Sequence, residues 1–160
     1  MSTIIPRRVF LTKGMGQHKE KLASLEQALR QAGIAPFNLV KVSSIFPPGC
    51  KVVPRDVGIR LLKPGQILFL VMSENATNEA HRLISAAIGL AVPNDPRHYG
   101  YLSEHHSFGQ TEREAGDYAE DLAAEMLATT LGRNISDIKD IWDEKKKIYR
   151  ISDKLTVKAR

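Results

Sequence analysis

Two adjacent serines, Ser43 and Ser44, stand where an apolar run ends and a stiff turn begins. The stretch reads Asn38-Leu39-Val40-Lys41-Val42-Ser43-Ser44-Ile45-Phe46-Pro47-Pro48-Gly49-Cys50. β-branched residues favour strands and Pro-Pro-Gly cannot continue one, so the pair sits at a strand end running into a rigid loop. Serine hydroxyls at such a place commonly bond nearby backbone. They can also react with it: the Ser44 hydroxyl can attack the Ser43 carbonyl carbon and exchange the amide for an ester. That step needs a hydroxyl on residue 44 and a restrained backbone before it. Other nucleophilic arrangements are missing, with no GxSxG elbow, no HExxH and no convincing Cys/His pair. Cys50 follows the proline turn with no neighbouring base in sequence, so it is expected to be buried or inert. His105 and His106 are adjacent, which on a strand turns them to opposite faces, and no metal site is expected.

The elements around the pair follow from periodicity. Arg8 to Thr12 reads as a first strand, closed by Gly14-Met15-Gly16, a tight turn or close backbone approach. Leu22, Leu25, Leu29 and Ala32 form one apolar stripe and predict a helix over about 18–32, with Gly33 at its left-handed cap. Glu26 lies beside that stripe. Phe37 to Val42 is the strand carrying the serine pair, Lys51 to Val53 a short edge strand, and Arg55 to Leu62 a connector. Gln66 to Met72 is an apolar run of strand length. From Leu83 to Val92, large residues alternate with Ser85, Ala87, Gly89 and Ala91, which predicts a strand whose small face lets another backbone layer approach. Tyr99 to His105 is a further strand, with Glu104 near its end. Thr111 and Glu114 form a capping box opening a helix to about Leu131, its inner face read as Ala115, Tyr118, Ala119, Leu122 and Met126. A short helix around Trp142 and a strand over 148–157 complete the chain. Long helices with runs of strands between them predict a single α+β domain of layered sandwich type over residues 1–160.

Composition narrows the function classes. Aromatics are only 6% of a chain that is 42% hydrophobic, so the core must be aliphatic and alanine-rich. No apolar run is long enough to span a bilayer, and 1–8 lacks the apolar stretch of a signal peptide. One cysteine cannot form an internal disulfide, which fits a reducing cytoplasm. The net charge of +5 gathers in Lys145-Lys146-Lys147, Arg150, Lys154, Lys158 and Arg160. A basic tail without aromatic platforms reads as a solvated surface, so neither nucleic acid nor membrane is an expected partner.

Followed through, the Ser43-Ser44 chemistry yields a cofactor. β-Elimination of the ester frees the carboxylate of Ser43, and the dehydroalanine left at residue 44 hydrolyses to a pyruvoyl group and ammonia. Residues 38–48 resemble the self-cleavage region of pyruvoyl-dependent arginine decarboxylases. Leu25-Glu26-Gln27-Ala28-Leu29-Arg30-Gln31-Ala32-Gly33-Ile34 is similar to that family's first helix. Ile84-Ser85-Ala86-Ala87-Ile88 and Gly100-Tyr101-Leu102-Ser103-Glu104 are similar to two further segments, in the same order.

The resemblance implies a small chain 1–43 and a large chain 44–160, with Ser44 carrying the covalent pyruvoyl group. It implies that Asn38 lies near that group, that Glu104 protonates the substrate carbon after carbon dioxide leaves, and that Glu26 faces the substrate guanidinium. A carboxylate suits the planar guanidinium fork. The implied fold is a four-layer αββα sandwich, and the implied assembly a homotrimer or a dimer of trimers. The expected reaction is L-arginine to agmatine and carbon dioxide. The same chemistry on histidine or lysine, or a non-enzymatic protein binding through its basic tail, are the alternatives.

Overall fold

The computed structural model describes residues 3–132, 142–143, 148–152 and 155–159. The chain divides into two compact units that interleave in sequence. Met1–Val42 and Cys50–Leu70 form the first, and Ser43–Gly49 with Val71–Arg160 form the second.

In the first unit, β1 (Arg8–Val9) pairs in parallel with β4 (Lys51–Val52), and β2 (Asn38–Lys41) in parallel with β5 (Ile67–Leu70). The expected first strand is thus only two residues long. Thr12, at its expected end, turns its hydroxyl to the Ala32 carbonyl, 2.7 Å away. Helix α1 (Lys21–Ala32) buries Ala32 and half-buries Leu25 and Leu29, while Leu22 stays exposed in its first turn. Gly33 takes φ 80°, and the N–H groups of Gly33 and Ile34 close back on the carbonyls of Arg30 and Leu29. A residue with a Cβ would be strained there, which is why the helix stops at this glycine.

The segment read as a connector contains a second helix, α2 (Arg55–Arg60). Its first residue has a job that no local pattern announces. The Arg55 guanidinium donates to the carbonyls of Gln31 at 3.2 Å and Ala32 at 3.3 Å, and so caps the end of α1. Gly14 and Gly16 lie against the backbone of α1, where a Cβ on either would meet the carbonyls of Ala28 and Ser24. Ser24 Oγ also donates to the Gly16 carbonyl at 2.9 Å. The Gly-Met-Gly turn is therefore a close helix contact.

The second unit is a six-stranded sheet in the order β3-β7-β6-β10-β9-β8, with antiparallel pairing throughout. The strands are β3 (Ile45–Phe46), β6 (Ile84–Val92), β7 (Gly100–Phe108), β8 (Trp142–Asp143), β9 (Ile148–Ser152) and β10 (Leu155–Ala159). Helix α3 (Glu112–Thr130) packs on β6 and β7, opened by the Thr111–Glu114 capping box. The small face of β6 is where the helix backbone comes closest. A Cβ at Gly89 would collide with the Ala119 carbonyl, and Ser103, 2% exposed, donates its hydroxyl to that same oxygen.

Such close approach favours small side chains, and the buried face of α3 is Ala115, Ala119, Ala123, Ala124 and Ala128, with Leu127 the one large residue among them. Tyr118, expected inside, is 51% exposed, and Leu122 and Met126 are half-buried at the flanks. Trp142 and Asp143, expected in a helix, are strand, and the rest of that expected helix lies outside the described residues. The expected strand over 148–157 is two strands, and β10 pairs with β6 through Lys158↔Val92 and Ala159↔Ala91. The chain's end thus extends the sheet that begins at β3. The mixed helix and strand content is that of an α+β protein.

Two glycines should respond oppositely to alanine. Gly116 lies in α3 with nothing within 4 Å of an added Cβ, so Gly116→Ala is expected to stabilise by about 0.5–1 kcal/mol. Gly89→Ala must push α3 away and is expected to cost about 1–3 kcal/mol. Urea titration of both variants checks the pair. The β6–β7 turn supplies a pH prediction. The Asp95 carboxylate accepts from the Arg97 guanidinium Nε and backbone N–H, both at 3.0 Å, which holds its carboxyl well below the usual range. A depressed carboxyl stabilises fully above its unfolded value of about 3.9 and loses that stabilisation as pH falls towards the folded value. Acid titration of Asp95→Asn should therefore show a shallower loss of stability below that point.

Candidate active site

The serine pair lies where the chain passes from one unit to the other. Upstream, Val42 N–H donates to the Leu70 carbonyl at 2.9 Å, continuing the β2–β5 ladder of the first unit. Downstream, Phe46 is 2% exposed and pins β3 onto β7, with Ile45 opposite Tyr101 and Phe46 opposite Gly100. The Leu102 N–H then donates to the Ser44 carbonyl at 2.7 Å, carrying the β3–β7 register one residue further. Val42, before the Ser43-Ser44 bond, and Phe46, after it, are each held within their own unit. Ser43 is exposed and Ser44 half-buried. Past β3, Pro47 and Pro48 lead into a turn with Gly49 at φ 68°.

Register also brings Glu104 to Ser44. With Ser44 opposite Leu102, Glu104 is two residues further along β7, the diagonal position across an antiparallel pair, about 7–8 Å away. Side chains alternate along a strand, so Glu104 leaves β7 on the same side as Leu102 and its cross-strand partner Ile88. That side is opposite to the one where Gly89 and Ser103 receive α3. Glu104 is exposed and is the fifth of the nine residues of β7, in its middle and not near its end as expected. The strand runs on through Phe108 because β6 continues to pair with it as far as Ile84.

The neighbouring histidines point apart, as adjacent strand residues must. His105 Nε2 is 2.8 Å from Gln110 Oε1, and its ring lies 4.3 Å from that of Tyr118, on the helix side. Ser73 Oγ donates to the His105 carbonyl at 2.7 Å and Asn75 Nδ2 to the Ser107 carbonyl at 2.8 Å. These two side chains steady the half of β7 beyond Glu104. Nothing in Ser73-Glu74-Asn75 signals this, since the partners are backbone carbonyls some 30 residues away in sequence.

Glu26 and Asn38 belong to the first unit. Glu26 is exposed on α1, and its carboxylate accepts from Arg30 Nε at 3.2 Å and from Arg30 Nη2. It therefore already engages a guanidinium by its two-nitrogen edge, that of the residue one turn on. Asn38 opens β2, and its Nδ2 donates to the Gly65 carbonyl at 2.6 Å. Burial pushes the Cys50 thiol up, away from the reactive thiolate, in line with the inert role expected. Among the described residues no three His, Cys, Asp or Glu side chains gather as a metal site.

Phe46→Ala tests the anchoring. Removing a ring that is almost wholly buried is expected to cost about 3–5 kcal/mol. Thermal unfolding of a variant that cannot self-cleave, such as the double change Ser44→Ala with Phe46→Ala against Ser44→Ala alone, measures this without interference from processing.

Residues 8–159 match the family model of the pyruvoyl-dependent arginine decarboxylases. A probable pyruvoyl-dependent arginine decarboxylase of Chlorobium limicola is 56% identical over 153 residues, covering 96% of this chain and 84% of that one. A pyruvoyl-dependent arginine decarboxylase of Methanococcoides burtonii is 58% identical over 149 residues, covering 93% and 82%. Pyruvoyl-dependent arginine decarboxylase 2 of Methanosarcina mazei is also 58% identical over 149 residues, covering 93% and 81%.

Proposed function

The chain belongs to the pyruvoyl-dependent arginine decarboxylase family, and from that premise we propose that it cleaves itself between Ser43 and Ser44 and decarboxylates L-arginine to agmatine. The enzyme is a carbon–carbon lyase with a covalent pyruvoyl group, and Ser44 is the residue proposed to become it. The observation that carries the assignment is the β3–β7 register, which sets residue 44 diagonal to Glu104 with its carbonyl held by Leu102. The residues present suit the group: a hydroxyl-bearing residue, half-buried, whose own carbonyl is held by the Leu102 N–H. A pyruvoyl group there supplies a ketone for the substrate amine and a sink for the electron pair released with carbon dioxide.

The chain's own residues do the rest. Glu104 holds a proton and delivers it to the substrate carbon that loses carbon dioxide, which requires it to be the acid form at that moment. Glu26 binds the substrate guanidinium, and its grip on Arg30 is support for that chemistry from within the same helix. In that role it must release Arg30 first. Asn38 is given a catalytic role by the family resemblance, with its amide oriented by Gly65.

The finer architecture follows the same reading. The family match over residues 8–159 takes in nearly all of both units, which supports reading them as one decarboxylase domain, a four-layer αββα sandwich. It is cleaved into chains 1–43 and 44–160, which assemble as a trimer or a dimer of trimers in the cytoplasm. Among the described residues no helix is long and apolar enough to cross a membrane.

The purified protein should release carbon dioxide from carboxyl-labelled arginine with no added cofactor and should be inactivated by carbonyl reagents. Ser44→Ala is expected to abolish both properties. Glu104→Gln is expected to keep carbonyl reactivity while lowering turnover about 10²–10⁴-fold. Equal turnover of histidine or lysine would contradict the arginine assignment, and unchanged binding of arginine by Glu26→Ala would remove Glu26 from the site.

A further inference from the structure

We propose that the backbone N–H of Leu102 is the oxyanion donor for the elimination step of self-processing, acting on the carbonyl oxygen of Ser44. The inference rests on the processing reading above and assigns a group to one of its steps.

The two steps of processing place charge on different oxygens. In the first, Ser44 Oγ attacks the Ser43 carbonyl carbon, and the negative charge of the tetrahedral intermediate sits on the Ser43 oxygen. Collapse breaks the Ser43–Ser44 amide, leaving an ester and a free amine on Ser44. In the second, a base of the water class takes the Cα proton of Ser44. The pair of electrons from that C–H bond forms the Cα=Cβ double bond, and the Cβ–Oγ bond breaks with its pair leaving on the Ser43 carboxylate. As the Cα–H bond loosens, charge spreads into the carbonyl next to that Cα, which is the carbonyl of Ser44 itself.

Leu102 N–H points at that oxygen and no other. The bond is 2.7 Å, the short end of the range for N–H···O. Its donor cannot drift, because Leu102 is 6% exposed, faces Leu90 across the ladder, and is preceded by the paired residues Gly100 and Tyr101. A donor fixed before the charge develops needs no reorganisation, which is what makes such groups effective. Any other ladder bond of this sheet lacks a reacting Cα beside its acceptor. The assignment separates the steps: losing the donor should leave ester formation intact and slow elimination alone.

The test uses the full-length chain in which Leu102 is replaced by its α-hydroxy analogue, so that an ester oxygen stands where the N–H was. Hydroxylamine cleaves the Ser43–Ser44 ester and reports it as a large chain beginning with unaltered serine. The unmodified protein should end as a large chain beginning with pyruvoyl, with little hydroxylamine-released serine. The modified protein should accumulate the ester and eliminate about 100-fold more slowly. The same exchange at Gly109, whose N–H donates to the Leu83 carbonyl at 2.9 Å, measures the general effect of losing one backbone bond in this sheet.

Elimination within about three-fold of the unmodified rate, a small part of the effect expected of an oxyanion donor, would overturn the proposal. So would a slowing matched by the Gly109 exchange, or a block before any ester appears. An unmodified protein that stays whole before and after hydroxylamine would instead overturn the processing reading and this inference with it. If the modified chain does not fold, amide exchange of Leu102 in Ser44→Ala decides: strong protection is expected, and exchange at the rate of an exposed amide refutes the assignment.

Discussion

A single short backbone contact, β3 on β7 extended by the Leu102 N–H to the Ser44 carbonyl, fixes what the rest of the site can be. The chain leaves the first unit after Val42 and is caught in the second by two strand residues and one buried ring. Phe46 makes that capture worthwhile, since burying an aromatic ring offsets the entropy of ordering a seven-residue insertion. Because antiparallel pairing has a period of two, a slip of one residue would turn Glu104 away from residue 44. The buried Phe46 opposite Gly100 forbids that slip.

β7 has to be rigid for this to work, and the reasons are spread along its length. At Ser103 the strand is tied to the Ala119 carbonyl of α3, at His105 to Ser73, and at Ser107 to Asn75. β6 backs it over eight paired positions from Ile84 to Ala91. The helix is held close by small residues on both sides, Gly89 on the sheet and an alanine row on α3. Dispersion between closely approached backbones does here what large side chains do in a more aromatic core. The result is a firm strand with an exposed carboxylate in its middle.

Local features were legible in the sequence, and long-range ones were not. The Ser-Ser pair before Pro-Pro-Gly, the Gly33 cap, the Thr111 capping box and the small face of β6 are each written in neighbouring residues. The four ordered segments of resemblance were enough to identify the family, which the match over residues 8–159 bears out. By contrast, Arg55 looked like part of a connector because its partners are carbonyls more than twenty positions away. Sequence puts Glu104 near a strand end because the polar run from Glu104 to Ser107 hides a strand with one exposed face. Helical period alone puts Tyr118 inside, and carries no sign that Gly89 draws the helix too close for a ring. Leu102 had no signal of any kind, since its contribution is a main-chain N–H.

Every role given to the site depends on whether the bond between Ser43 and Ser44 breaks. Intact-mass measurement of the purified full-length chain tests this directly. The predicted result is two chains, one ending at Ser43 with a free carboxylate and one beginning with a pyruvoyl group in place of Ser44. A single uncleaved chain after prolonged incubation, or a large chain that still begins with serine, would contradict it.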